Sequence, residues 1–174
     1  MKILTAIIII ALAATITGCS NQAPVTSNIA NLTVTSSFQK TVNPRYTCDG
    51  DNISPPLNIS NIPNNAKTLA IIIVDPYVPR QVFTHWVVWN IPVATMIPED
   101  TVPGTQGIND FGFYNYGGPC PPAGTHNYIF KAYALDTELN LNDKAGRADV
   151  EKAMKGHILA QGELNANYTK ATQP

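Results

Sequence analysis

The chain has 174 residues, a formal net charge of −1 and only 13% charged side chains, about half the usual share. That length argues for one domain, and the near-neutral charge excludes the basic footprint of a nucleic-acid binder. Fourteen prolines and many short apolar runs favour a β-sandwich or barrel over a helical bundle, and there are enough apolar side chains for a core, which excludes global disorder.

The N-terminus reads as a targeting segment. Met1 and Lys2 make a short basic start, and Ile3 to Ile16 run apolar or small, interrupted by Thr5 and Thr15. This is the length of a signal-peptide core and shorter than a spanning helix of about 20 residues. The run closes on Ile16-Thr17-Gly18-Cys19, which looks like a bacterial lipobox: one apolar residue, two small ones, then the Cys that receives a diacylglyceryl group and further acyl chains such as palmitate. The expectation is a signal peptide over 1–18, a lipidated Cys19 with a polar tether over 19–29, and one domain over 30–170. An acyl anchor then holds the domain to a membrane.

Beyond the tether, Leu32, Val34 and Phe38 fall at even spacing and predict an early strand. Residues 43–64 are dense in Pro, Asn, Asp, Ser and Gly and read as a loop or edge segment. Leu69 to Val74 is a continuous apolar run ended by Asp75-Pro76, which predicts a central strand buried on both faces. Phe83 to Ile91 is a second β-rich run. Residues 98–125 form a long Gly- and Pro-rich region, a length that usually signals function. Tyr128 to Leu135 is a third strong strand. One helix follows, with Asn142 or Asp143 as its cap, Ala148, Val150, Ala153 and Met154 on its apolar face, and Gly156 as its stop. Ile158 to Leu164 returns to a strand.

With Cys19 used by the lipid, Cys48 and Cys120 remain, an even number suited to an oxidising compartment. They could stay as two buried thiols or close a disulfide across 72 residues, worth ~4 kcal/mol in a chain-entropy account. Polar residues gather at strand ends. Asp75 stands where a buried strand stops, His85 lies inside Phe83-Thr84-His85-Trp86, and His126 and Tyr128 share one face of a strand because residues two apart do. Imidazole and phenol donors suit an anion. An acid such as Asp75 would fix a histidine tautomer, and a Gly117-Gly118-Pro119 loop could turn backbone N–H groups inward. Each of these residues could equally be an ordinary core or turn residue.

Four blocks, read together, resemble the phosphatidylethanolamine-binding protein family, in its bacterial Raf kinase inhibitor-like branch. They are Tyr46-Thr47-Cys48-Asp49-Gly50 through Ser54-Pro55-Pro56-Leu57; Asp75-Pro76 to Pro79 with His85-Trp86 and Asn90-Ile91-Pro92; Tyr116 to Pro122 with Gly124, His126 and Tyr128; and Ala153 to Ala160. The resemblance implies an antiparallel β-sandwich with a short C-terminal helix and a small anion pocket at one end. It also implies ligand binding by Asp75, His85, Gly118, Pro119, Pro121, His126 and Tyr128. Two departures bear on the ligand. Tyr77 stands where relatives often carry a second acid, and Asn127 where they often carry Arg.

The expected function is therefore binding of phosphate-bearing anions or phospholipid head groups at the cell envelope (the outer membrane in a two-membrane cell), without catalysis, cofactor or metal. The alternative is a protease inhibitor or protein-docking module that uses the 98–125 loop. Nothing resembles a nucleophile elbow or His-Glu-x-x-His, and His85, His126 and His157 could share zinc only if the fold brought them together.

Overall fold

The computed structural model describes residues 29–76 and 81–170. The signal peptide, Cys19, most of the tether, Tyr77 and Pro79 lie outside the described residues. Among the described residues nine strands form two sheets: β1 (Ala30–Asn31), β2 (Thr33–Ser36), β3 (Leu57–Ser60), β4 (Thr68–Asp75), β5 (Phe83–Pro92), β6 (Met96–Ile97), β7 (Thr105–Gln106), β8 (Thr125–Leu135) and β9 (Ile158–Thr169). One α-helix, α1 (Arg147–Ala153), precedes β9, and a 3-10 turn spans Pro44–Tyr46. The larger sheet runs β1-β9-β8-β4-β5-β7 and the smaller β2-β3-β6. All the pairings are antiparallel except β1 with β9.

β4 is central and buried along its whole length, and its two faces serve different layers. Leu69, Ile71 and Ile73 point into the sandwich, where they join Val34, Leu57, Ile59 and Ile97 of the small sheet. Ala70, Ile72 and Val74 point outward and are roofed by Val150 and Met154 from the helical segment and by Leu139 and Ala145. The unbroken apolar run is thus a strand between two packed layers, as period-two alternation requires when both faces are dry.

Three details depart from the sequence reading. β3 lies in the Pro- and Asn-dense stretch yet is the middle strand of its sheet. Its alternation of buried Leu57 and Ile59 with exposed Asn58 and Ser60 spans only four residues, too few to stand out from the turn-rich flanks. The helix is capped by Gly146 in extended conformation, with the Asp149 carboxylate accepting the Gly146 N–H at 3.1 Å. Asn142 caps nothing, because its side chain closes a turn onto the Lys144 N–H at 2.9 Å, and Gly146 is held in a bridge with Ile108. β9 runs on to Thr169, well past Leu164, because it pairs along the whole of β8.

Candidate anion site

β4, β5 and β8 bring four polar side chains to one end of the sandwich. Asp75 is the last residue of β4 and shares the inner face with Ile73. His126 and Tyr128 stand on β8, on the face that also carries Phe130 and Ala132. His85 reaches them from β5 through an irregularity: Ile73 pairs with Trp86 and Val74 with Thr84, which leaves His85 as the extra residue of a bulge. Such a bulge breaks strict alternation and re-aims a side chain. All four are buried, at 3%, 3%, 6% and 0% exposure for Asp75, His85, His126 and Tyr128.

The hydrogen bonds assign most of the protons. A carboxylate only accepts, so His126 Nδ1–H donates to Asp75 Oδ2 at 2.6 Å. A carbonyl only accepts, so His85 Nδ1–H donates to Gly117 O at 2.7 Å. Burial pushes the His85 pKa below its ordinary value, outweighing the Gly117 carbonyl and the Asp75 carboxylate that work the other way. Neutral His85 therefore presents Nε2 as an acceptor. The Tyr128 ring meets His85 edge-on at 5.1 Å and lies stacked with His126 at 6.4 Å between centroids. Its hydroxyl is buried and, among the described residues, has no acceptor for its proton, while the Cys120 backbone beside it favours the deprotonated form. Burial, reinforced by Asp75, pushes that phenol up, so it stays an O–H donor. Orphaned buried donors are rare in folded proteins and call for an explanation.

Gly118, Pro119 and Pro121 lie on the loop before β8. The Gly117 N–H donates to His85 O at 3.0 Å and the Gly118 N–H to Asn52 Oδ1 at 2.8 Å. These two amides are committed to the protein and do not form an inward-facing anion nest. Gly118 is needed for space, since a Cβ there would collide with the Tyr46 carbonyl and the Asn52 side chain. Pro119 O accepts from Cys48 N–H at 3.1 Å, and a disulfide joins Cys48 to Cys120. The loop is stapled to the segment after the 3-10 turn, and through Gly117 it holds His85 in one tautomer. Pro121 is buried on the same loop.

Asn52, Asn109 and Phe111 also shape the site, and the sequence reading missed them. Asn52 has a φ of 55°, and a turn asparagine at such a conformation was the available signal. Buried Asn109 organises residues 109–115. Its Oδ1 accepts from the Phe111 and Phe113 N–H groups, both at 3.0 Å, and its Nδ2 donates to Asn115 O at 2.8 Å. The Phe111 ring rests edge-on to His85 at 5.3 Å and to Phe83 at 4.8 Å. His157 is elsewhere, paired with exposed Asp136 at 2.8 Å. Among the described residues no group of three or more His, Cys, Asp or Glu stands close enough to hold a metal.

The chain thus forms a β-sandwich with a buried Asp-His-His-Tyr cluster at one end. The family described as phosphatidylethanolamine-binding protein matches residues 34–169, and the chain belongs to that family. It is 48% identical over 134 residues to a UPF0098 protein of Methanothermobacter thermautotrophicus, covering 72% of this chain and 89% of that one. It is 46% identical over 137 residues to a UPF0098 protein of Aquifex aeolicus, covering 72% and 79%. Among solved structures it is similar to a phosphatidylethanolamine-binding protein homolog of Chlamydia trachomatis, with TM-score 0.77, 36% identity and coverage of 81% and 99%. It is also similar to E. coli YbcL, described as a member of the mammalian family, with TM-score 0.74, 33% identity and coverage of 82% and 100%.

Proposed function

We propose that this protein binds small phosphate-bearing anions, free or as phospholipid head groups, at the cell envelope, where a lipid on Cys19 anchors it. The observation that carries the reading is the Tyr128 hydroxyl, a buried donor without an acceptor among the described residues. Such a group costs about 1–3 kcal/mol, and a phosphate oxygen would supply the acceptor. Neutral His85 offers the complementary group, an Nε2 lone pair for a P–OH proton. Membership of the family supports the same class of ligand.

The reading is one of binding without turnover. Cys48 and Cys120 are tied to each other, so neither is available as a nucleophile beside the histidines. Calorimetric titration of the purified protein with inorganic phosphate tests the proposal, with saturable binding expected to disappear in the double variant His85→Ala, His126→Ala. No saturation would shift the role to protein docking through residues 98–125, and phosphoester turnover abolished by His126→Ala would make the site catalytic. Incorporation of labelled palmitate, lost in Cys19→Ser, tests the anchor.

A further inference from the structure

Beside the buried cluster lies an open cleft of about 310 Å³ lined by Phe111, Phe113, Tyr116, Asn52, Asn115 and the Cys48–Cys120 disulfide, together with Gly117 and Gly118. It shares the Gly117 to Cys120 loop with the anion site, and its Phe111 ring touches His85. None of its described lining residues carries a charge. Phe111 and Phe113 are 40% and 62% exposed, an arrangement water disfavours, yet they sit on a loop that is well held. The buried Asn109 side chain bonds both of their N–H groups, the Asn109 N–H donates to Phe113 O at 2.8 Å, and Gly112 turns the chain at a φ of 87°. Aromatic faces fixed in advance beside a polar seat are what a binding site requires, because little ordering remains to be done on association.

Resting on the anion reading, we infer that this cleft takes the cationic end of a zwitterionic phosphoester, and that it selects a quaternary ammonium over a primary one. Ring faces carry a negative quadrupole that attracts a cation. A primary ammonium brings three N–H donors that need strong acceptors, and the cleft's described lining offers no carboxylate. A trimethylammonium has no N–H to satisfy and sheds its water at low cost, so aromatic faces suffice. At the cleft's edge Lys170 Nζ stands 3.9 Å from Cys120 Sγ. That exposed cation favours the phosphate and opposes the ammonium, and salt screens its effect.

The test compares phosphocholine, phosphoethanolamine, 3,3-dimethylbutyl phosphate (the uncharged carbon analogue of phosphocholine) and inorganic phosphate in calorimetric titrations of the purified protein. Phosphocholine is expected to bind about fivefold more tightly than phosphoethanolamine and than the carbon analogue, at the upper end of the range for exposed cation–π contacts. Phe113→Leu, an exposed change that keeps the site apolar but removes the ring, should bring both ratios close to one. Equal binding of phosphocholine and its carbon analogue would reduce the cleft to an apolar surface and overturn the inference. So would phosphoethanolamine binding as tightly as phosphocholine, or ratios unchanged in Phe113→Leu. If neither phosphate nor any of the esters saturates, the anion reading itself fails; if phosphate binds and the esters do not differ, only the ammonium inference fails.

Discussion

Tyr128 places stability and binding in opposition. Its hydroxyl is buried without an acceptor among the described residues, so Tyr128→Phe removes an unsatisfied donor. The variant should match or exceed the parent in stability by up to about 1 kcal/mol in urea titrations, while phosphate affinity falls about tenfold, the worth of one hydrogen bond to a charged group. A purely structural tyrosine would show no such split. His85 carries the pH dependence. Its folded pKa is depressed by burial, so its contribution to stability is present above the unfolded value of about 6.5 and is lost as pH falls through the folded value, because the unfolded chain takes up the proton first. Thermal scans should show the ligand-free protein losing stability on acidification below about pH 6.5, with His85→Gln removing that part of the loss. Ligand binding has the opposite slope. Either a protonated His85 or a P–OH group must supply the proton between them, so phosphate affinity should weaken by about tenfold per pH unit once both have lost it. An affinity flat from pH 5 to 8 would exclude this proton.

At the scale of elements, the site depends on two fastened loops and a bulge. The disulfide closes a separation of 72 residues, for which chain entropy gives up to ~4 kcal/mol. Reduction, or the double variant Cys48→Ser, Cys120→Ser, should lower stability toward that amount. Because the same loop positions Gly117 against His85, it should also weaken phosphate binding. Asn109 is the hub of residues 109–115. Asn109→Ala strips the loop of three side-chain hydrogen bonds and should cost about 2 kcal/mol, with hydrogen-exchange protection lost first at the Phe111 and Phe113 amides. β4 needs its full apolar run because Ile72 is pressed under the α1 layer while Ile71 and Ile73 fill the sandwich. A polar residue on either face within the run would be buried, and the polar positions of β4, Thr68 and Asp75, fall at its two ends.

For the described molecule, the topology separates β1, the first described strand, from the site. β1 enters level with Ala160 and, across β9, with Ala134, whereas the site begins at His126. The eight residues between those levels of β8, at about 3.4 Å each, span roughly 27 Å. The buried cluster therefore lies toward the end of the sandwich opposite β1. With Cys19 lipidated, the ten residues from there to Ile29 reach at most about 36 Å when fully extended. Removing the residues before Ile29 should leave phosphate affinity unchanged in calorimetry, since no described part of the site depends on them. A loss of binding would place part of the site in that segment.

The strongest elements were legible from the sequence alone: the double-faced strand at Leu69 to Val74, the strands that begin near Phe83 and Tyr128, and the shared face of His126 and Tyr128. Period-two patterns and Asp-Pro punctuation are local properties, and local properties survive in a linear string. The remaining features are set by chain segments far apart in sequence. The Gly146 cap was settled by a bridge to Ile108, and the central place of β3 by its partners on both sides. The bulge at His85 arises from pairing with β4. The use of the Gly117 and Gly118 amides was settled by His85 and Asn52. The sequence by itself determined a β-rich domain and the residue types able to meet a phosphate. Only the tertiary structure decided which of their hydrogen bonds are already spent and which, at Tyr128, has no acceptor among the described residues, because hydrogen-bond satisfaction depends on the groups that the fold brings within reach.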